Sequence, residues 1–305
     1  MNSGRADCFP GMFSYKAMIF KKLTLDDIPI VQPYFGFVRS NTCDFSVGGM
    51  FMWRQYYDMD YCIEASCLFS RLKDEQGNVY YNLPLCEDVE NALLTLHTRE
   101  KNLRFCTIPE EYLPVFMKVF PQARITEQTD YFDYLYKASD LIELRGGKYH
   151  GQRNQISQFL RQNPDWCFVD IKEIPIEDVM NFFSSYCQAE ASTADTAIEE
   201  NQKVLEVLQH MEQYQMLGGV LLVHNQFVGF SLGEIIVETL FTLVEKADRA
   251  FRGVYQMLTK QFAEQFGQGV CFINREEDMG DLGLRRAKES YHPVALLKKY
   301  TVEII

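Results

Sequence analysis

Hydrophobic and polar positions follow the same order twice along this chain, once near its start and once past its middle. Residues 20–28 form a short strand-like run followed by acidic residues and an amphipathic stretch, and residues 170–179 repeat that order. Within them, segment 25–28 (LDDI) aligns with segment 176–179 (IEDV). Acidic residues in a first helical turn complement the helix dipole, so each half is expected to open with a strand and a helix. The recurrence predicts a duplicated α/β unit, although such openings are also common enough to arise by coincidence.

The second half gives the more detailed prediction. Apolar residues spaced three and four apart predict a helix over 254–266, with an inner face formed by Val254, Met257, Leu258, Phe262 and Phe266. Ahead of this helix the pattern predicts a strand, two helices and three antiparallel strands, at residues 166–171, 175–188, about 195–216, 219–223, 227–237 and 239–245. Behind it a strand, a short helix and a terminal strand are expected at residues 270–273, about 281–289 and within 294–305.

The pattern of the first half supports only a coarser prediction. Helices are expected at residues 25–38, 44–55, 87–98 and 109–119, and strands at residues 59–65, 67–72, 78–83, 103–107 and 131–137. The pair Gly146-Gly147 breaks the pattern between the halves. After it we expect a helix with four buried side chains, those of Tyr149, Ile156, Phe159 and Leu160.

Composition fits a two-domain globular protein. The chain has 305 residues, of which 47% are hydrophobic and 24% charged, so each half can bury a core. We predict an α/β (α+β) protein with a disordered leader at residues 1–17, an N-terminal domain at 18–143 and a C-terminal domain at 144–305 that carries the active site. Each domain is expected to be a mixed central sheet flanked by helices.

Charge and apolar content exclude several classes of function. The net charge of −12 disfavours a DNA-binding protein and simple adsorption to anionic membranes. No run reaches the 18 apolar residues of a membrane-spanning helix, and residues 1–17 lack the apolar core of a secretory signal. The nine cysteines include no CxxC pair, so free thiols in a reducing, cytoplasmic environment are expected rather than disulfides or a zinc site.

The turn at residues 248–255 precedes the predicted long helix, and the order of elements around it resembles the GNAT superfamily of N-acetyltransferases. In that superfamily the backbone amides of this loop and the following helix N-terminus hold the coenzyme A pyrophosphate, since both attract anions. The resemblance implies that Arg249 and Arg252 add positive charge, that Gly253 allows close approach and that the helix amides begin at Val254. A solvated turn with a helix-starting glycine is the alternative.

A second motif, NREEDMG…GLRRAKESYHP at residues 274–293, makes the resemblance more specific. Together with the helix that follows Lys148 and Tyr149, it is similar to the DUF2156 family, which is related to the C-terminal domain of phosphatidylglycerol lysyltransferases. The similarity extends over the chain from Met18. It implies a tandem GNAT-like fold and transfer of an acyl or aminoacyl group. The chain lacks the large membrane-embedded half of the lysyltransferases, which weakens the case for direct transfer to a lipid headgroup.

The resemblance also implies roles for individual residues. Tyr291 would protonate the leaving group, Glu234 or Glu245 would act as the base, and Asn274 would hydrogen-bond the donor. Substrate contacts are expected from a set of polar and basic residues: Lys148, Tyr149, Arg153, Asn154, Arg285 and Lys288. A basic surface for tRNA could combine Lys148, Arg153, Arg161, Arg285, Arg286, Lys288, Lys298 and Lys299, although basic residues scattered over helix faces are the alternative. The acidic run at 276–278 could bind a metal or an ammonium group, but a solvated run or a helix cap is more typical, and no metal is predicted.

These observations lead to one principal prediction and one alternative. The principal prediction is a GNAT-type transferase with no tightly bound cofactor, which takes acyl-CoA or aminoacyl-tRNA as co-substrate and an amine or hydroxyl as acceptor. Direct attack on the bound donor is expected, because no Ser-His-Asp or Cys-His grouping can be picked out. The alternative is a non-catalytic module that binds a nucleotide, a tRNA or a peptide. The sequence leaves the donor, the acceptor and the oligomeric state open.

Overall fold

The computed structural model describes residues 17–189 and 195–305, apart from the side chains of residues 195–197. Within these residues the chain forms two seven-stranded mixed sheets flanked by helices, which confirms the expected fold class. The predicted leader lies outside the described residues except for Ala17. Among the described helices, none has the combination of length and apolar character needed to cross a bilayer.

The first half supplies these elements in chain order: β1 (Lys21–Lys22), α1 (Ile28–Val31), α2 (Val47–Phe51), β2 (Asp60–Glu64), β3 (Cys67–Lys73), β4 (Val79–Tyr81), α3 (Val89–Arg99), β5 (Arg104–Pro109), α4 (Leu113–Val119), β6 (Arg124–Glu127), β7 (Asp133–Lys137) and α5 (Ala138–Glu143). The helix expected over 25–38 is shorter than predicted, because two 3-10 segments flank α1. Pro29 and Pro33 supply no backbone N–H in this region, which favours short turns over a long helix.

The second half continues with α6 (His150–Gln162), β8 (Trp166–Asp170), α7 (Ile176–Ala189), α8 (Asp195–Gln209), α9 (Met211–Tyr214), β9 (Leu217–Val223), β10 (Gln226–Ile236), β11 (Thr239–Ala247), α10 (Val254–Phe266), β12 (Phe272–Asn274), α11 (Leu282–Glu289), β13 (Ala295–Leu297) and β14 (Lys299–Glu303). This is the order that the GNAT resemblance implied. Helix α10 has the predicted bounds, and β11 pairs in parallel with β12.

Two strands belong to a sheet that is formed mainly by the other half of the chain. The first sheet has the order β1-β2-β3-β4-β5-β14-β6, so the C-terminal strand β14 lies between β5 and β6. The second sheet has the order β13-β7-β12-β11-β10-β9-β8, so β7 belongs there, although the sequence placed it in the first half. The predicted division at 143/144 therefore does not separate the two sheets. Each half depends on a strand supplied from beyond that division.

The hydrophobic core also connects the halves. One continuous cluster combines Phe51 and Phe105 of the first half with Phe183 and Phe230 of the second. A second cluster fills the space between the second sheet and helices α5, α6 and α10. The prediction for α6 is correct for Tyr149, Ile156 and Phe159, which are buried, but wrong for Leu160, which is 37% exposed and faces outward.

Candidate active site

Gly253 precedes helix α10 in a left-handed conformation with φ of 81°, which an L side chain adopts only with strain. A Cβ atom on this residue would also lie 2.2 Å from the Gln155 carbonyl oxygen, so α6 covers one side of the helix start. The Val254 amide donates to the Phe251 carbonyl oxygen at 3.1 Å. Arg249 and Arg252 are exposed on the same turn. The loop therefore has the predicted position and charge, but α6 already covers part of the expected anion site.

Strands β11 and β12 diverge beyond the pair Phe241 and Asn274, and the residue after this point, Arg275, crosses the resulting gap. Its Nη2 donates to Glu245 Oε2 at 2.6 Å, and both side chains are nearly buried, at 11% and 14% exposed. An ion pair thus bridges the gap between these strands.

Two further side chains complete this group, which we call the Arg275 cluster: Glu245, Thr259, Arg275 and Tyr291. Thr259, on the inner face of α10, donates from Oγ1 to Glu245 Oε1 at 2.7 Å. The Tyr291 side chain hydrogen-bonds Thr259, and its ring lies 4.8 Å from the Arg275 guanidinium carbon. Burial raises the pKa of Tyr291 to about 12, and the positive charge of Arg275 opposes that rise. Tyr291 is therefore a protonated phenol at neutral pH.

The guanidinium of Arg275 retains unused donors. Its Nε and Nη1 atoms are buried and have no hydrogen-bond partner among the described residues. Burial alone would lower the pKa of Arg275. Glu245 and the other neighbours raise this pKa by more than burial lowers it, so the side chain stays charged. Because an unpaired buried donor costs about 1–3 kcal/mol, this arrangement favours a ligand oxygen that accepts from Arg275.

Glu234 and Asn274, two other predicted site residues, lie elsewhere. The Glu234 carboxylate is buried and accepts from the backbone amides of Val47 at 3.0 Å and Gly48 at 2.6 Å. It therefore caps α2 and docks the first half on the second sheet, which is a correction to its predicted role as a base. The Asn274 side chain donates to the Asn41 carbonyl oxygen and to Asp133, so it is not directed towards a donor site.

The predicted basic and polar contacts do not form one surface. Lys148 pairs with Asp140 at 3.2 Å, and Arg153 donates to the carbonyl oxygens of Leu144 and Gly146. Arg285 pairs with Asp278 and Asp130.

Three more members of that predicted set are held by their own contacts. Lys288 is buried, where it donates to backbone carbonyl oxygens and where burial lowers its pKa. The buried Tyr149 hydroxyl lies 3.1 Å from the Tyr291 carbonyl oxygen. Asn154 contacts His150 and lines a depression of about 420 Å³ along the outer face of α6. Most of the predicted substrate contacts thus stabilise the fold.

The acidic run at 276–278 is not a solvated surface, which corrects the expectation from sequence. Glu277 is 21% exposed and Asp278 only 3% at their side chains. Asp278 accepts from Tyr134 at 2.6 Å and from Arg285 at 2.8 Å. These contacts hold the pKa of Asp278 at about 2, with Arg285 as the largest cause. The first part of the motif that carried the family resemblance, residues 274–278, is therefore a largely buried polar segment.

Lys299, which the sequence assigned to a basic surface for tRNA, is instead a buried lysine between the halves. Lys299 is 1% exposed, and its Nζ lies 2.7 Å from both Asp44 and Asp133 and 3.5 Å from Glu277. Cys43, Asp133 and Glu277 place ligand atoms within 4.8 Å of one another, but the Lys299 ammonium contacts all three. It supplies the positive charge that a metal would provide. Its position at the start of β14, directly after the exposed Lys298, gave no signal of burial in the sequence.

Comparisons with other proteins place this geometry in a family. A structure described as a conserved protein of unknown function from Bacteroides thetaiotaomicron is 27% identical, with a TM-score of 0.85, and the match covers 94% of this chain and 100% of that one. The C-terminal DUF2156 domain of a putative lysylphosphatidylglycerol synthetase from Agrobacterium fabrum shares the fold at 13% identity, with a TM-score of 0.66 over 92% and 93% of the two chains. L-PGS from Bacillus licheniformis also shares it, at 13% identity and a TM-score of 0.61 over 90% and 91%.

An uncharacterised protein of Mycoplasmoides gallisepticum is 21% identical over 175 residues, which is 57% of this chain and 56% of that protein. The match thus spans little more than half the length of this relative. The family described as phosphatidylglycerol lysyltransferase, C-terminal, matches residues 35–303, which include the Arg275 cluster and every strand of the two sheets except β1. The chain belongs to this family of phosphatidylglycerol lysyltransferase C-terminal domains.

Proposed function

We propose that this protein transfers an acyl or aminoacyl group from a bound donor to an amine or hydroxyl acceptor, and that the reaction takes place at the Arg275 cluster. One observation carries the proposal: a protonated phenol, Tyr291, lies beside a buried guanidinium with two donor nitrogen atoms that have no partner among the described residues. Acyl transfer needs both a donor for the carbonyl oxygen and an acid for the leaving group. The family to which the chain belongs supports the same reaction class.

The chemistry follows from the contacts. The acceptor attacks the carbonyl carbon of the donor, and the negative oxygen that forms accepts from Arg275 Nε and Nη1. Tyr291 then protonates the departing oxygen or sulfur, and Thr259 connects Tyr291 to Glu245 for return of the proton. Glu245 is the base in this scheme: it takes the proton that the attacking amine or hydroxyl loses, and that proton passes through Thr259 to restore Tyr291. Both of its oxygens already accept hydrogen bonds, so donor binding must draw Arg275 away before Glu245 takes a proton.

Two donors fit this proposal. Acyl-CoA would place its pyrophosphate at the start of α10 beside Arg249 and Arg252, where amides and positive charge favour an anion. Aminoacyl-tRNA is the donor that the family relationship favours. Both donors are cytoplasmic metabolites, so a cytoplasmic location is part of the proposal.

The test combines binding with transfer. Thermal midpoints are measured with acetyl-CoA, CoA and charged tRNA, and transfer of a labelled acyl group to amines is followed for the donor that stabilises the protein. Arg252→Ala should abolish stabilisation by CoA, whereas Arg145→Ala, which removes another exposed arginine, should not. Tyr291→Phe and Arg275→Lys should each lower transfer by 10²-fold or more, on the order of the loss expected for an acid or an oxyanion donor. Tyr61→Phe, in the first sheet, is the matched control for a buried tyrosine. Undiminished transfer in Tyr291→Phe would refute the assigned site.

A specific observation favours the alternative, a non-catalytic binding module. The Arg275–Glu245 ion pair closes the gap where strands diverge, and α6 covers one side of the helix start. If a donor stabilises the protein but no acceptor gains label, and if Tyr291→Phe binds that donor unchanged, the protein is a binding module.

A further inference from the structure

Cys67 and Cys86 face each other across two neighbouring strand segments of the first half. Leu68 and Leu85 exchange both backbone hydrogen bonds, at 3.1 and 2.9 Å, in an antiparallel bridge. The next pair along such a ladder, Cys67 with Cys86, is non-hydrogen-bonded, and in this kind of pair the Cα atoms are about 4.5 Å apart. The two Sγ atoms lie 2.7 Å apart.

This geometry allows a covalent bond without backbone movement. Disulfides span Cα separations of about 4.4–6.8 Å, and the separation typical of this ladder position lies within that range. Both side chains project to the same face of the sheet, because opposite residues in an antiparallel pair share a face. Both cysteines are free thiols in the structure, which represents the reduced state.

The two thiols differ in reactivity. Cys67 is buried, whereas Cys86 is half-buried and precedes the N-cap of α3, Asp88, by two residues. The hydrogen bond from Cys67 lowers the pKa of Cys86, and the same contact together with burial raises the pKa of Cys67. A partly exposed thiolate near a helix N-terminus is the more reactive form of cysteine, so Cys86 is the attacking sulfur and Cys67 the resolving one.

We propose that Cys67 and Cys86 form a redox-active pair that a hydroperoxide converts to a disulfide. The Cys86 thiolate attacks one peroxide oxygen, an S–O bond forms, the O–O bond breaks, and the leaving oxygen takes a proton from solvent. Cys67 then attacks the Cys86 sulfenic acid, the S–S bond forms, and the S–O oxygen leaves as water with the Cys67 proton. Two thiols lose two electrons and the hydroperoxide gains them. A reducing compartment reverses the bond, so the pair responds to transient oxidation.

The bond would join the start of β3 to the segment that leads into α3. This closes a loop that contains β3 and β4, and closing a loop of that size restricts the unfolded chain. The oxidised first half should therefore be harder to unfold than the reduced one, independently of any transfer activity.

The test uses the full chain treated with hydrogen peroxide, then unfolded in denaturant, blocked with N-ethylmaleimide and digested without reductant, so that the buried Cys67 is also labelled when it is free. We expect a linked peptide that joins Cys67 and Cys86, lacks two hydrogens and separates on reduction with dithiothreitol. Cys86→Ser should leave Cys67 available to N-ethylmaleimide, and Cys67→Ser should leave Cys86 as a sulfenic or more oxidised acid. Cys271→Ser, which removes an exposed thiol, should form the link as the unaltered protein does.

Rates give a second readout. Cys86 should lose its thiol to peroxide about tenfold faster than Cys271, whose pKa is raised by Glu238. The proposal is overturned if both thiols remain open to N-ethylmaleimide, or if Cys86 oxidises without a link to Cys67.

Discussion

Replacing Lys299 with methionine should destabilise the protein strongly at neutral pH. Lys299 is 1% exposed and lies within 3.5 Å of three carboxylates, of which Asp133 is fully buried. The methionine side chain is of similar length, so the main effect is loss of the positive charge. Removing one partner of a buried ion pair costs about 3–5 kcal/mol, because the remaining charge is left uncompensated. Lys298, its exposed neighbour, pairs with Glu127 at the surface, where solvent screens the pair, so Lys298→Met should leave the stability nearly unchanged.

The pH dependence of the free energy of unfolding tests whether the loss comes from the buried Asp133 carboxylate. Burial raises the pKa of Asp133 from 3.8 to about 6 in the folded protein, and Lys299 opposes this rise. A carboxyl whose folded pKa is raised stabilises the fold when protonated, and that stability is lost as pH rises between the two values. Without Lys299 the folded pKa rises further. From pH 8 to pH 6 the variant should therefore regain more stability than the unaltered protein does, by at most about 1.4 kcal/mol per pH unit for this one carboxyl.

Urea unfolding followed by tryptophan fluorescence at pH 8, 7 and 6 measures these differences. Asp133→Asn in the Lys299→Met background should recover much of the loss, because an asparagine oxygen still accepts from the Cys43 amide and from Asn274. Two results would refute the reasoning: a loss below about 1 kcal/mol at pH 8, or a double variant no more stable than the single one.

Three further predictions test the assembly of the fold. Gly253→Ala should lower the free energy of unfolding in urea by about 2 kcal/mol, because the residue has positive φ and α6 leaves no room for a Cβ. A neutral effect would contradict the close approach of α6 to Gly253. Glu234→Ala should cost about 2–4 kcal/mol, since it leaves two amides of α2 unpaired, whereas Glu234→Gln, which keeps one acceptor, should cost less. Truncation after Leu297 removes β14 from the interior of the first sheet, so Trp53 fluorescence should report an unfolded first half. A native signal from Trp53 in that truncated chain would show that the first sheet forms without β14.

The parts of the fold that could be predicted from sequence are those specified locally. Helix α10 has the predicted bounds because its apolar spacing and the preceding glycine both lie within one segment. The positions of β7 and β14 depend on pairing across long separations, which periodicity does not encode. An alternating strand pattern indicates that a strand exists but not which sheet receives it.

The candidate site shows the same division. Glu245 and Tyr291 were selected from sequence and lie in one cluster, but Thr259 and Arg275, which join them, were not assigned a role. Thr259 carried a signal, since it is a polar residue beside the predicted apolar face of α10. Arg275 carried none beyond its position after a strand, because its partners come from β11 and from the segment after α11. The sign of its charge was visible, but its burial was not.

The segment that follows β12 connects the buried ion pairs around Lys299 to the Arg275 cluster. Successive side chains at a strand end point to opposite sides, so Asn274 contacts Asp133 whereas Arg275 crosses towards Tyr291. Glu277 contacts Lys299, on the same side of the segment as Asn274 and Asp133. Between them Glu276 has φ of 55°, a conformation that a non-glycine residue keeps only when its surroundings hold it. A change at Lys299 should therefore displace Arg275 as well, and Lys299→Met should lower transfer by more than its loss of folded protein explains.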